Sequence, residues 1–413
     1  MWKYLFIALL FAAPACAQEK NKYWIDADYL LWFIKDNPVP VPLITKASFA
    51  DPLPGAIGQP HTRVVLGKHS IDMGMMQGFD ADAGIWIKRR IGIEGGYFLL
   101  PTVSESKSLH TSGQPGSPNY PVPIFDVSGV FGLNGVPGET IFILPGPIEE
   151  DPGFVAKYRL ELKSRLQGAE LNAIYRMIDK KSFQLKWHGG FCWFELQEKL
   201  SFKGKTHAAA HSTFGNAFYN IADRFDTTND FLAGQLKIDA SYQTKRWHLE
   251  AALKGALGAV LQKVKVEGSS KTSGGNLFFL TQGTANKTLH GGIFSEPSNI
   301  GSHQKNPMAW GFETKVQTGF ELGKHLEIHV GYSFLWISKV LRPGNQIDRK
   351  INSTRTALAD ASRATVGIGP GPIPFGGPPG PAPAPRGPHR PKVPFHSSTF
   401  WAQGLNAGIE FHF

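Results

Sequence analysis

Runs of strict two-residue alternation between apolar and polar side chains recur along this chain, and the connections between them alternate in length: a tight polar turn, then a long Gly/Pro-rich segment. Few folds tolerate that layout. Period two sends successive side chains to opposite faces of a strand. Short turns at one end and long loops at the other describe an antiparallel up-and-down barrel that crosses a membrane.

The runs can be placed. Tyr23–Ile34 comes first, with Tyr23, Ile25, Tyr29 and Phe33 on one face and Asp26 and Asp28 on the other. Phe79–Ile87 and Ile91–Leu99 form a hairpin around Arg89-Arg90. Three more hairpins follow: Leu166–Ile178 with Phe183–Glu195, Phe231–Tyr242 with Trp247–Val260, and Met308–Leu322 with Leu326–Trp336. Phe400–Phe413 is last, so the expectation is about ten strands, with both termini at the turn side and long surface loops over 35–75, 102–156, 201–228, 263–307 and 340–396. Val127–Phe131 and Thr140–Leu144, around Asn134-Gly135, read as a hairpin above the membrane; if it entered the barrel, the count would be twelve. Proline supports the ten-strand layout, because a ladder has no use for a residue without an N–H. None of these runs contains one, and Pro101 is expected to end its strand.

Composition narrows the class further. Past the N-terminus no apolar run reaches the roughly 18 residues of a helical span. The N-terminus carries Lys3, an apolar stretch Tyr4–Ala13 and the small-residue site Ala15-Cys16-Ala17, which predicts a secretory signal over residues 1–17 cleaved before Gln18, with lipid attachment at Cys16 as the alternative. Cys192 is then the one remaining cysteine, so no disulfide is expected, and it reads as a packed thiol. Net charge is +10, yet its Lys and Arg are dispersed, without the basic stripe and stacking aromatics of a nucleic-acid binder. Residues 367–394 are too rich in Pro and Gly to bury a core and are expected to be disordered.

Parity assigns the inward positions. Asp26, Asp28, Asp80, Asp82, Lys88, Glu94, Glu170, Arg176, Lys186 and His188 face the lumen, followed by Lys237, Asp239, Glu250, Lys254, Glu313, Lys315, Glu327, His329 and Glu410. Both signs are present, so the expectation is a network of paired charges that plugs a narrow barrel, since buried charges need partners. About eight strands leave an interior that side chains fill. The sharper alternative, an Asp and His protease site, needs the outer rim, whereas Asp26 and His329 lie near the periplasmic starts of their strands. No enzyme activity, cofactor or metal site is expected. Phe411 and Phe413 close the last strand on its lipid face, as an insertion signal for barrel-assembly machinery would.

Several motifs carry a resemblance: Gly189-Gly190-Phe191 with Glu195 and Glu198-Lys199-Leu200, Asp223-Arg224-Phe225 with Asn229-Asp230-Phe231, and Glu296-Pro297-Ser298-Asn299-Ile300-Gly301. Above all there is Val330-Gly331-Tyr332-Ser333-Phe334-Leu335-Trp336, then Arg342-Pro343-Gly344-Asn345-Gln346-Ile347-Asp348-Arg349. Together they resemble the outer-membrane beta-barrel porin family numbered seven, of planctomycete type. The chain departs from it at Cys192, where arginine is common, and in its Pro-rich last loop. The resemblance implies fold and outer-membrane location more than transport, and it supplies no catalytic residues. The expected role is structural or surface recognition, with outer-membrane lipids and an unidentified extracellular ligand as partners; the alternative is a narrow channel for small solutes.

Overall fold

The computed structural model describes residues 22–132, 135–180, 182–272, 287–366 and 383–413. The expected signal segment and its cleavage site, Asn134, and 367–382 of the Pro-rich loop lie outside the described residues. Among the described residues eighteen strands follow in chain order. They are β1 (Tyr23–Ile34), β2 (Asn37–Lys46), β3 (Arg63–Ile71), β4 (Met75–Lys88), β5 (Ile91–Thr111), β6 (Pro123–Asp126), β7 (Gly138–Ile141), β8 (Gly146–Ile148) and β9 (Asp151–Lys180). There follow β10 (Phe183–Ala208), β11 (Phe218–Thr244), β12 (Trp247–Thr272), β13 (Lys287–Leu289), β14 (Gly301–Lys305), β15 (Met308–Glu321), β16 (Leu326–Leu341), β17 (Lys350–Ile351) and β18 (Ser397–His412), with one helix, α1 (Ala357–Val366), before the last. Among the described residues no helix is long and apolar enough to cross a membrane.

Ten strands close a ring, in the order β10, β11, β12, β15, β16, β18, β1, β4, β5, β9 and back to β10, every pair antiparallel. The termini complete the seam: Tyr23 N donates to Phe413 O at 3.1 Å and Phe413 N to Tyr23 O at 2.8 Å. The count is therefore ten rather than twelve. Residues around Asn134 do build a hairpin outside the ring, but its arms are β6 and β7, joined by β17. Val127–Phe131 is not a strand because the Asp126 carboxylate accepts from Ser128 N (3.0 Å) and Phe131 N (2.9 Å), which turns the chain back.

The wall is lopsided. β5, β9, β10, β11 and β12 are neighbours and run 21 to 30 residues; β15, β16, β18, β1 and β4 are neighbours and run 12 to 16. A bilayer needs roughly 9 to 11 residues per strand, so the tall half rises far above it. Much of what reads as surface loop over 102–156, 201–228 and 263–307 is strand in that wall. Pro101 does not end β5. It sits where the register to β9 shifts between Leu100 and Val103, the bulge position at which a missing N–H breaks no ladder bond.

Polarity inverts along the tall strands with no break in parity. Low in β9, Leu171 and Tyr175 face outward and Glu170 and Asn172 inward; higher up, Lys157, Arg159 and Lys163 face outward while Tyr158, Leu160 and Leu162 are buried inside. The lower outward face is the lipid belt, where Phe191 is 74% exposed and Leu236, Leu257, Trp310 and Leu405 join it. The upper inward face is a hydrophobic core. Residues 35–73, 112–132, 135–150, 287–307, 342–366 and 383–396 fold onto it as a head: Leu43, Val122, Phe142, Phe294, Ile347, Ile351 and Leu358 pack in one cluster with Tyr158, Phe202 and Phe225 of the wall.

Candidate functional site: a charged chamber below a folded head

Three layers are stacked inside the barrel, and each follows from the inward parity of its strands. The lowest is a cavity of about 370 Å³ lined by Asp26, Asp80, Asp82, Glu94, Glu170, Arg176, Lys237, Asp239, Glu250, Lys254, Glu313 and Lys315. Asp28 is buried in the wall beside it, held by Lys315 Nζ at 2.9 Å. The parity assignment thus locates every expected lumen residue except Lys88, which a register shift between Trp86 and Lys88 turns out to the exposed rim.

The pairing is real but partial. Lys254 Nζ lies 2.7 Å from Glu170 and 2.6 Å from Glu313; Lys237 is 3.9 Å from Glu94, and Lys186 3.9 Å from Asp239. Arg176 reaches Asp179 at 3.4 Å and stacks over Trp86. Glu250 lies 3.9 Å from His248, whose other ring nitrogen is 3.0 Å from Glu327. Eleven carboxylates face six Lys or Arg across the cavity, and among the described residues neither Asp80 nor Asp82 has an ion-pair partner. The acids also stand in register: Asp82 opposes Asp26, Asp26 opposes Glu410, and Glu410 opposes Glu327. The charges therefore line a polar chamber and leave it open, contrary to the expectation that they fill the lumen.

Asp26 and His329, far apart in sequence, do meet. His329 Nε2 is 2.9 Å from Asp28 Oδ1 and 3.5 Å from Asp26 Oδ1, in a space kept free because β18 has glycine opposite: a Cβ on Gly408 would stand 2.5 Å from Asp28 Oδ1. Asp26, Asp28 and His329 form one set of atoms that could hold a cation, and Glu327, Glu410 and His412 a second, each within 4.8 Å. In the first set Lys315 already takes Asp28, and in the second His248 takes Glu327.

Above the chamber lies an apolar layer. Leu30, Trp32, Leu100, Phe194, Phe231, Val260, Leu335 and Phe400 are buried, and the Phe98 and Phe194 ring centroids are 5.7 Å apart. Directly over it is the third layer, a buried polar knot. Arg342 and Glu198 side chains are both 0% exposed; Arg342 Nε donates to Glu198 Oε2 at 2.6 Å and Nη2 to Oε1 at 2.9 Å. Arg342 Nη2 also donates to Lys35 O, while Asn37 Nδ2 (2.9 Å) and Ser164 Oγ (3.2 Å) donate to Glu198. This fork-to-fork geometry is the strong form of the ion pair.

The remaining motif residues build the head around that knot. Pro343–Gln346 is a single 3₁₀ turn that lies against β2 so closely that a Cβ on Gly344 would sit 2.0 Å from Pro38 O. Gln346 Nε2 donates to Arg342 O and His396 O. Arg349 grips Glu139 of β7 in a second fork, at 2.6 and 3.2 Å. Asp348 accepts from Arg390 Nη1 and from the backbone of Lys350 and Lys392. The motif thus joins the last loop to the first two.

Sequence reasoning missed the partners: Asn37, Asp126, Glu139, and the role of Asp223. The last accepts from the backbone N–H of Ile293, Phe294 and Ser295 at 2.8 to 3.2 Å and pins loop 287–300 to the wall. An Asp at an inward position otherwise apolar, between Ile221 and Phe225, was the available signal. Beside it Glu296 is buried and accepts from Ala357 N at the start of α1 (2.8 Å); burial and the neighbouring Asp223 hold its carboxyl well above the usual range. At the other end of the barrel, Phe411 and Phe413 lie on the exposed lipid face with rings 6.5 Å apart.

Solved structures similar to the chain include outer membrane protease OmpT from Escherichia coli, at 10% identity over 97% of this chain and 99% of that one, with a TM-score of 0.39. A Pseudomonas aeruginosa FadL homologue matches at 11% identity, 96% and 90% coverage and a TM-score of 0.25. An anion-selective porin from Comamonas acidovorans matches at 6% identity, 95% and 98% coverage and a TM-score of 0.18. No curated protein matches the chain. The family model described as "Putative beta barrel porin-7" matches residues 24–413, nearly the whole length, and with a closed ten-stranded ring and a lipid belt already in place the conclusion is that this outer-membrane barrel belongs to that family.

Proposed function

We propose that the protein is a closed outer-membrane barrel whose head serves a structural or recognition role at the cell surface, with export through a signal cleaved before Gln18 and insertion guided by Phe411 and Phe413. The observation that carries this reading is the Arg342–Glu198 knot above an apolar layer. Water and ions entering the chamber from the periplasm meet buried Leu, Phe and Trp side chains, and beyond them a desolvated ion pair, a barrier that among the described residues offers poor solvation to an ion. The plug is this layer together with the loops folded over it, and the chamber charges are its wet floor.

Hydrolysis is not part of this proposal. His329 and Asp28 lie inside the lumen below the apolar layer, where an extracellular peptide has no access, and Lys315 holds Asp28. Purified full-length protein in planar lipid bilayers should show no steady conductance. A large, stable, ion-selective current from the unmodified protein would replace this reading with the narrow-channel one.

A further inference from the structure

The upper outer wall carries a charge pattern that the fold does not need and that its own energetics oppose. On the seam between β9 and β10, Lys163 stands directly opposite Lys199, Arg159 opposite Lys203, and Lys157 opposite Lys205. All six project outward by parity. Like charges facing each other across a sheet are destabilising. Glu161 lies 3.7 Å from both Arg159 and Lys163, and Asp226 of β11 stands opposite Lys199 without reaching ion-pair distance; Lys157, Lys199, Lys203 and Lys205 have no ion-pair partner among the described residues. The β11–β12 seam, one strand further round, shows that this arrangement is not forced. There, at the same level, Arg224 pairs with Asp226 and Glu267, and Lys265 with Glu267.

Position identifies what relieves the repulsion. The ladder begins just above the lipid belt, where Arg165 and Gln167 follow the apolar positions of β9, and continues to Lys157. From Lys163 to Lys157, at about 3.3 Å per residue and a tilt of about 40°, it spans roughly 15 Å of height. It faces sideways, in the plane where outer-leaflet headgroups stand, and not upward into solvent. Across the seam to β5, Ser104, Ser106 and Ser108 oppose Lys163, Glu161 and Arg159 and add exposed hydroxyls beside the cations. A phospholipid headgroup bears one phosphate at one depth. Six cations and three hydroxyls over that height fit a taller partner with several phosphates on a sugar scaffold.

We propose that the β9–β10 ladder is a binding site for a multiply phosphorylated glycolipid of the outer leaflet, which supplies the counter-charge the wall lacks. The full-length protein in zwitterionic detergent, titrated with bisphosphorylated lipid A and read by native mass spectrometry, should retain the lipid with an affinity that falls as salt is raised. The triple variant K199Q/K203Q/K205Q should bind at least tenfold more weakly with a shallower salt dependence, and K263Q/K265Q on the β11–β12 seam should bind as wild type does. Without lipid, the triple variant should unfold at a higher temperature than wild type, because removing like charges relieves the wall; lipid A should raise the wild-type midpoint and leave the variant's nearly unchanged. Equal lipid A binding by wild type and triple variant would overturn the proposal. So would equal binding of phosphatidylglycerol or inorganic phosphate, which would mark the ladder as a site for a lone phosphate.

Discussion

Arg342 shows why single residues decide so much in this head. Its guanidinium is fully buried, and its partner Glu198 belongs to the wall while Lys35 and Asn37 belong to the first loop, so one side chain fastens three segments. Removing one member of such a pair strands the other charge away from water, at a cost of about 3 to 5 kcal/mol. R342A and E198A should each lower the unfolding temperature, seen as earlier loss of heat-modifiable migration on gels, whereas the lipid-facing I328L should leave it unchanged. The double variant R342M/E198L should be less damaged than either single one; equal or greater damage would mean that the pair is not the source of the loss. Glu296 gives a pH test with a defined sign. Its carboxyl is held above the ordinary range by burial, so its contribution is fully present below the unfolded-state value near 4.3 and is lost as pH rises through the folded one. The stability difference between E296Q and wild type should therefore widen in favour of E296Q from about pH 4 to pH 8, measured by thermal unfolding at matched salt; a difference independent of pH would refute the assignment.

Elements are where the sequence was most and least readable. All ten barrel strands were visible as period-two runs because a lipid face and a watery lumen impose opposite demands on alternate residues. Their upper halves were not, because the alternation changes sense where the wall leaves the membrane. In Lys157-Tyr158-Arg159-Leu160 the apolar residues point inward to the head core, and a pattern sought with apolar side chains outward ends near Leu166. The chamber residues were legible from parity alone, while their incomplete pairing was not, since it depends on which strands become neighbours around the ring. The members of the knot could be seen but not their pairing: Arg342 and Glu198 each stood in a motif, and nothing in the spacing joined two residues 144 apart. Topology remains testable at this scale. Cysteine placed at Glu150, in the exposed turn between β8 and β9, should react with impermeant maleimide on intact cells, and cysteine at Lys324, in the turn between β15 and β16, should not. Labelling of the second and not the first would invert the molecule in its membrane.

At the scale of the whole molecule, the lopsided wall also implies an order in time. The chain makes two short barrel strands first, its five long ones next and three short ones last, and the seam that must wait for β18 joins it to β1, strands of 16 and 12 residues. Of the segments that meet in the knot, 35–73 leaves from β1 at that seam, and Arg342 follows β16, the neighbour of β18 on its other side. Until β1 and β18 zip together, Arg342 cannot have both Glu198 and the carbonyl of Lys35 within reach. Closing the ring and locking the head are then a single late event, and a nascent barrel stays a curved open sheet with a tall finished side until its last strand arrives.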